Sequence, residues 1–325
     1  MFQNEINELQ LLVKYVKKNP NLIQASGGNV SIKCNNNIMR IKASGHKIVD
    51  INKPDGFIDV NYKEISEFLN LCDSKSIEKD KNFSYQNHVD LKVSIEVHFH
   101  AILKKVVLHT HPIGLNSILA SKDASKIIKQ LTNSINYIPY IKPGLFLGLE
   151  VLKLLNNEKE NYQDNCLVFY LQNHGLIISA ETAKDVIQES QKIQSVVANF
   201  LKLRQHKFKI ESICNQLNVT ESFFISKNTY LLKVLNKKPY LVNYMATNPD
   251  TVIFCGPLPF NVNPNQISNE MDDYITKFKI YPKIYFYESK LYYLAHSQRQ
   301  ADMMEDVFLS HIFIIENCPS NINFI

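Results

Sequence analysis

The sequence predicts a mixed α/β protein, and three observations carry that reading. Apolar residues recur at helical spacing, as in Ile6, Leu9, Val13 and Val16, which puts them on one face of a helix. Short apolar runs such as 106–108 and 166–171 end abruptly at turns bearing histidine or glycine, the pattern of buried strands. After about residue 207 the texture changes to isolated strand-like runs and a closing helix. A chain of 325 residues, at roughly 100–200 per domain, makes one large domain or two smaller ones. A boundary near 210–220 is expected to divide a main domain, 1–212, from a smaller α+β C-terminal region, 213–325.

The elements follow in order. Residues 5–18 read as an amphipathic helix stopped by Pro20. Ala25-Ser26-Gly27-Gly28-Asn29 is a tight glycine turn. Residues 30–34 and 38–42 read as a hairpin around Asn35-Asn36-Asn37, with Ala43-Ser44-Gly45 as a second small-residue turn. Residues 70–90 are polar and charged and read as loop. Ser94 reads as the N-cap of a helix reaching about Lys104, because its hydroxyl can accept from the first helical N–H groups. Strand 106–108 runs into His109-Thr110-His111-Pro112, and one or two helices fill 114–131. Pro139 and Pro143-Gly144 mark a turn-rich approach to another helix. Strand 166–171 ends at Asn173-His174-Gly175, where the glycine lets the backbone turn. Thr182 with Asp185 resembles a capping box, opening a helix with Val186, Ile193, Val197 and Phe200 on one side. Strand-like runs at 251–255, 283–287 and 291–295 follow, the last two joined as a hairpin by Glu288-Ser289-Lys290, and then a helix at about 298–312.

Composition narrows the class of function. Hydrophobic residues make up 45% and charged residues 21%, enough for an ordinary core. The net charge of +5 is spread over scattered lysines with no dense block. That argues against a nucleic-acid partner, which needs a clustered basic stripe, and favours an anionic substrate. Six cysteines, none at CxxC spacing, read as reduced thiols of a cytoplasmic protein. The N-terminus shows no charged-then-apolar leader. No apolar run approaches the ~20 residues that span a bilayer, so no membrane partner is expected.

Two histidine sites point to a metal. His109 and His111 stand two apart at a strand end, so their imidazoles share one face. His174 likewise follows an apolar strand. Three histidines plus an open position is the arrangement of a catalytic zinc site, and imidazole favours zinc over magnesium or calcium. Glu96, one helical turn before His100, is a fourth candidate ligand and a base. Spacing alone leaves alternatives open: two surface histidines ended by Pro112, a structural His174, and an exposed helix-start Glu96.

Five short motifs then occur in order. They are Ala25-Ser26-Gly27-Gly28-Asn29-Val30-Ser31, Lys42-Ala43-Ser44-Gly45, Ser94-Ile95-Glu96, Leu108-His109-Thr110-His111-Pro112 and Asn173-His174-Gly175-Leu176. Together they resemble the class II aldolase/adducin family over about residues 5–210. The stretches 250–257 and 301–305 are similar to the aldolase-like part of the rhamnulose-1-phosphate aldolase/dehydrogenase subgroup, as a stand-alone version without the dehydrogenase. The resemblance implies an α/β/α sandwich around a mostly antiparallel sheet, commonly a homotetramer. It implies one Zn2+ per subunit on His109, His111, His174 and Glu96, with Glu96 also carrying the proton.

The implied reaction is lyase cleavage of a phosphorylated sugar or phosphorylated oxo-acid through a metal-stabilised enediolate. Decarboxylation, 4-epimerisation or dehydration at the same site are alternatives, as is a non-catalytic adducin-like interaction module. A phosphate cradle is expected from the Asn29 amide, from Gly28, from Ser44 and Gly45, from the Ser94 hydroxyl at a helix start and from the charge of Lys42. The plainer reading of the glycines is that they only make turns. Two departures stand out: Ile95 occupies a place where several sugar-phosphate aldolases carry a second hydroxyl, and His98 sits at a variable position. Tyr137 and Tyr140 are available as the tyrosines that family aldolases use near the site.

Overall fold

The computed structural model describes residues 3–51, 53, 55–72, 85–86, 92–132, 136–157, 165–202, 222–263 and 266–325. The chain divides into two compact units, Met1–Leu115 with Ser125–Arg204, and Asn116–Ala124 with Gln205–Ile325. The boundary expected at 210–220 lies outside the described residues.

The first unit is built on a sheet of eight strands. They are β1 Asn29–Lys33, β2 Ile38–Lys42, β3 Phe57–Asn61, β4 Tyr85–Gln86, β5 Val106–Thr110, β6 Tyr137–Ile138, β7 Cys166–Leu171 and β8 Gly175–Ala180, in the order β4-β3-β2-β1-β5-β8-β7-β6. Every pairing is antiparallel except β6 with β7. The helices are α1 Gln3–Lys18, α2 Tyr62–Leu71, α3 Val97–Ile102, α5 Ala124–Thr132, α6 Leu145–Asn157 and α7 Ala183–Phe200, while α4 Ile113–Leu119 runs from this unit into the segment Asn116–Ala124 of the second. On one face α2, α3 and α6 bury Ile65, Val97, Ala101, Phe99 and Val151 against Met39, Ile41, Val60, Val107 and Ile177. Ser31 of β1 bonds His100 of α3, so Val30 and Ile32 point the other way, toward α1. There α1 and α7 pack on the sheet and are pinned together by Tyr15, whose hydroxyl meets Ser190 at 2.9 Å. The architecture is the expected α/β/α sandwich around a mostly antiparallel sheet.

The second unit carries a smaller sheet of β9 Ser222–Ile225, β10 Phe260–Asn261, β11 Ile284–Tyr287 and β12 Lys290–Ala295, in the order β10-β11-β12-β9. Its helices are α8 Thr229–Lys237, α9 Ile267–Phe278 and α10 Gln298–Asn317. Tyr274 of α9 packs on Phe260 and Tyr285. The β11–β12 hairpin turns through Glu288 at φ 47° and Ser289 at φ 61°, the left-handed pair that matches strand twist in a two-residue loop. Among the described residues no helix is long and apolar enough to cross a membrane.

Several expectations are corrected. Thr251–Cys255 is a single π-helical turn, not a strand. Its β-branched residues favour a strand, but the Asn248 carboxamide accepts from the Thr251 N–H at 2.9 Å and opens a helical turn. Gly256 closes it at φ 81°. The helix expected from Ser94 to Lys104 is only α3, because Ser94 caps a turn before it: its hydroxyl accepts from the Glu96 N–H at 3.2 Å. Within the expected 70–90 loop, α2 reaches Leu71 and Tyr85–Gln86 form a strand; 73–84 and 87–91 lie outside the described residues. Phe200 at the end of α7 is 39% exposed, off the buried stripe of Val186, Ile193 and Val197. The closing helix is longer than expected, capped by Ser297. The Thr182 cap of α7 is present, accepting from the Asp185 N–H at 3.2 Å. The cysteines Cys34, Cys72, Cys166, Cys255 and Cys318 are free thiols, and Cys214 lies outside the described residues.

Each unit buries a neutral histidine. Burial pushes His100 in the first unit down to about 3 and His311 in the second down to about 4. Both values lie below the ordinary value near 6.5 of an unfolded chain. As pH falls through ~6.5 the unfolded state takes up the proton first, so stability present above that value is lost below it. At pH 5 each histidine is expected to cost about 2 kcal/mol relative to pH 7. Melting temperatures measured at the two pH values check this; equal values would show that these imidazoles are not held neutral.

Candidate metal centre

The site forms where three strand ends and one helix start meet on the α3/α6 face of the sheet. β5 carries Val107 and His109 on that face, and His109 meets Phe99 of α3 edge-on at 5.6 Å. β5 ends at Thr110, and His111 follows with its N–H on the Leu22 carbonyl at 2.8 Å. β7 and β8 are joined by three residues, Gln172 to His174, which hold His174 beside His109. The left-handed residue there is Asn173, at φ 53°. Gly175 was expected to supply the turn; its part is close approach instead. A Cβ on it would run into the Thr110 carbonyl and lie 2.9 Å from His111 Cδ2.

The side chains converge. His109 Nε2 lies 2.9 Å from His111 Nε2 and 3.3 Å from His174 Nε2. Glu96 Oε1 lies 3.2 Å from His109 Nε2 and 3.3 Å from His174 Nε2. The three histidine ligand atoms all fall within 4.8 Å of one another, and all three residues are buried. Ligands about 2.0–2.1 Å from a tetrahedral ion sit about 3.3 Å apart, which three of these four separations match. His109 Nδ1 is 3.0 Å from the Leu176 carbonyl. An N–H there fixes the tautomer and leaves the Nε2 lone pair facing the cluster, as metal-bound imidazoles require. The donor set and its spacing fit a divalent ion.

The electrostatics agree. Burial alone would raise the Glu96 carboxyl, but His109 and His174 together outweigh it and hold the group well below the usual carboxylate range. Burial pushes His174 down to about 4 against the opposing hydrogen bond from Glu96. The site therefore holds an ionised carboxylate and a His174 imidazole that is neutral at pH 7, the protonation states metal ligands need.

The remaining expected residues surround this centre in different ways. Asn29 pairs with His109 across the β1–β5 register, is buried, and has its Nδ2 without a hydrogen-bond partner. Gly28 takes φ +64°, and a Cβ there would lie 2.7 Å from the His109 carbonyl, so it too permits a close backbone approach. Ser44 and Gly45 stand exposed on the 43–47 turn, with open space around Gly45. Ser94 is buried and engaged with Glu96. Lys42 is buried and donates to backbone carbonyls. Ile95 is 63% exposed, and His98 places Nδ1 3.1 Å from the Ile95 carbonyl with its Cβ against Gly148 of α6. Tyr140 donates its N–H to Gln172 Oε1 at 3.1 Å. Burial pushes the Tyr137 hydroxyl up to about 12. No contact of either tyrosine ring with the four candidate ligands is found among the described residues.

Two partners of the site escaped the sequence reading. One is the Leu176 carbonyl, a backbone group that no side-chain pattern reveals. The other is the Ser31–His100 pair, 2.7 Å apart and fully buried beneath the centre. Its signal was a polar residue in the apolar run of β1 and a second histidine on α3. Gly175→Ala tests the backbone approach. The added methyl must displace Thr110 or the His111 ring, so we expect about 1–3 kcal/mol of destabilisation from overpacking together with weaker metal retention. A variant that melts and binds metal like the parent would show that β5 and β8 can separate at no cost.

An α/β/α sandwich with a buried three-histidine, one-carboxylate cluster at its strand ends could hold a metal ion there. The family described as Class II Aldolase and Adducin N-terminal domain matches residues 10–198, and the chain belongs to that family. Among solved structures it is similar to the N-terminal class II aldolase domain of a conserved protein from Thermoplasma acidophilum. That match has 24% identity and a TM-score of 0.51, over 62% of this chain and 95% of the other. The l-fuculose-1-phosphate aldolase of Thermus thermophilus matches at 14% identity and a TM-score of 0.38, over 61% of this chain and 95% of that one. A sugar-phosphate aldolase from Thermotoga maritima matches at 14% identity and a TM-score of 0.44, over 63% and 98%. A comparison with curated proteins gives no match.

Proposed function

We propose that this chain is a zinc-dependent lyase of the class II aldolase type, breaking a carbon–carbon bond in a phosphorylated sugar or related phosphorylated oxo-acid. The observation that carries this reading is the convergence of three imidazole Nε2 atoms and the Glu96 carboxylate on one buried point. His109, His111, His174 and Glu96 would hold one Zn2+ per subunit. The ion supplies Lewis-acid stabilisation of the negative charge that develops on the substrate oxygens. Glu96 moves the proton. Burial alone raises its pKa, so a Glu96 turned away from the two imidazoles is the stronger base.

The substrate phosphate is bound by the turns at the same end of the sheet. Asn29 offers a buried, unsatisfied Nδ2 donor, which costs free energy until an acceptor reaches it. Ser44 and Gly45 offer an exposed hydroxyl and backbone amide, and Gly28 and Ser94 shape the near wall. We place the domains at 1–212 for this chemistry and 213–325 as an accessory region. The protein is assigned to the cytoplasm as a homotetramer with a small-molecule substrate.

The test is zinc quantification on purified protein, followed by a panel of phosphorylated ketoses and oxo-acids with detection of aldehyde, carbon dioxide or isomer. Release of an aldehyde is the expected result. Carbon dioxide or an isomer would move the reaction to decarboxylation or epimerisation at the same residues. A zinc-loaded protein inert to the whole panel would remove the lyase reading, and absence of bound metal would favour an interaction module.

A further inference from the structure

The turns at 25–28 and 43–47 belong to different strand ends, yet one side chain reaches both. β1 and β2 are antiparallel, with Ser31 opposite Ile41, so the end of β2 lies beside the start of β1. Asn29, at that start, is opposite His109. Lys42, the last residue of β2, is therefore at the same sheet end as the metal centre. It is 3% exposed. Its Nζ donates to the His46 carbonyl at 2.7 Å and to the Ser26 carbonyl at 3.2 Å. Ser26 lies in the first turn and His46 in the second.

A buried ammonium is costly unless hydrogen-bonded, and charge-assisted bonds are the strong ones. Both turns also contain left-handed backbone, Ala25 at φ 51° and Gly28 at φ 64° in one, Gly45 at φ 79° in the other. Such conformations persist only where the surroundings hold them.

We propose that Lys42 is a positioning residue: its ammonium staples the 25–28 turn to the 43–47 turn and so sets the anion affinity of this end of the sheet without touching the anion. A lysine stem spans the gap where a shorter donor does not. Its burial, while Ser44 and Gly45 are exposed, keeps it behind the surface that a ligand reaches. The staple itself stands on the geometry; its effect on anions rests on the proposed phosphate chemistry.

The experiment uses the full zinc-loaded chain and its Lys42→Met variant. Amide hydrogen exchange is followed in peptides covering both turns, binding of inorganic phosphate is titrated, and zinc content is measured. The variant is expected to exchange at least about tenfold faster in both turns and to bind phosphate at least about tenfold more weakly, the scale of a lost charge-assisted hydrogen bond, with zinc content unchanged. Loss of phosphate affinity with both turns still protected would make Lys42 a direct anion contact and overturn the staple. Loosening of one turn alone would overturn it as well. If the parent itself binds no phosphate while both turns loosen in the variant, the staple stands and the phosphate reading of the site fails. Should Lys42→Met not fold, the ammonium of the parent decides: a slowly exchanging 15Nζ signal for Lys42 is expected, and a solvent-averaged one overturns the proposal.

Discussion

His109→Ala is expected to leave purified protein with less than about 0.1 metal ion per chain and to lower kcat/KM at least about 10³-fold, some 4 kcal/mol of transition-state stabilisation. His109 is the hub of the cluster: its Nε2 is within 3.3 Å of His111, His174 and Glu96 at once. Removing it opens the ligand set at its centre. It also leaves the buried Glu96 with fewer of the partners that hold it ionised. Loss of a ligand should matter more than loss of an outer partner, whose removal typically costs 10–100-fold. Circular dichroism establishes that the variant folds, and metal analysis with a steady-state assay gives the result. Retention of one ion per chain would show that the metal sits elsewhere.

Much of the convergence of these four side chains was legible in the sequence because each candidate ligand stands at a boundary. His109 and His111 close an apolar run, His174 follows another, and Glu96 precedes a short amphipathic stretch. The two-residue spacing of His109 and His111 suggests a shared face, whereas His174 joins them through the β7–β8 connection. What was not legible depends on backbone approach. Gly175 looked like a turn residue, yet Asn173 makes the turn and Gly175 admits the Thr110 carbonyl. Lys42 was expected to lend its charge to a phosphate cradle, yet it is buried on backbone carbonyls, a placement that emerges only once β1, β2 and β5 are paired.

The same limit governed the fold. Periodic segments such as α1, β7 and α7 stood out because their apolar pattern is strong. β3, α2, β8 and α9 were not anticipated, and the 251–255 run was misjudged because one Asn248 side chain redirected a β-branched segment. Local propensity is a weak prior where a single cap competes with it.

Glu96→Gln separates the two roles given to the carboxylate. Glutamine keeps the shape but cannot accept a proton, while His109, His111 and His174 still offer three nitrogen ligands. Three such ligands suffice at catalytic zinc sites, so the variant should retain most of its metal. Proton transfer by a positioned side chain contributes typically 10²–10⁴-fold, so kcat is expected to fall by about that factor with KM little changed. The pH profile discriminates further. In the parent, the limb set by Glu96 reflects burial raising its pKa against the two imidazoles lowering it; in the variant that limb should vanish. A variant that loses its metal would make Glu96 chiefly a ligand. One that keeps both metal and a rate within about tenfold of the parent, short of the 10²–10⁴ expected of an acid–base group, would remove Glu96 from the proton path.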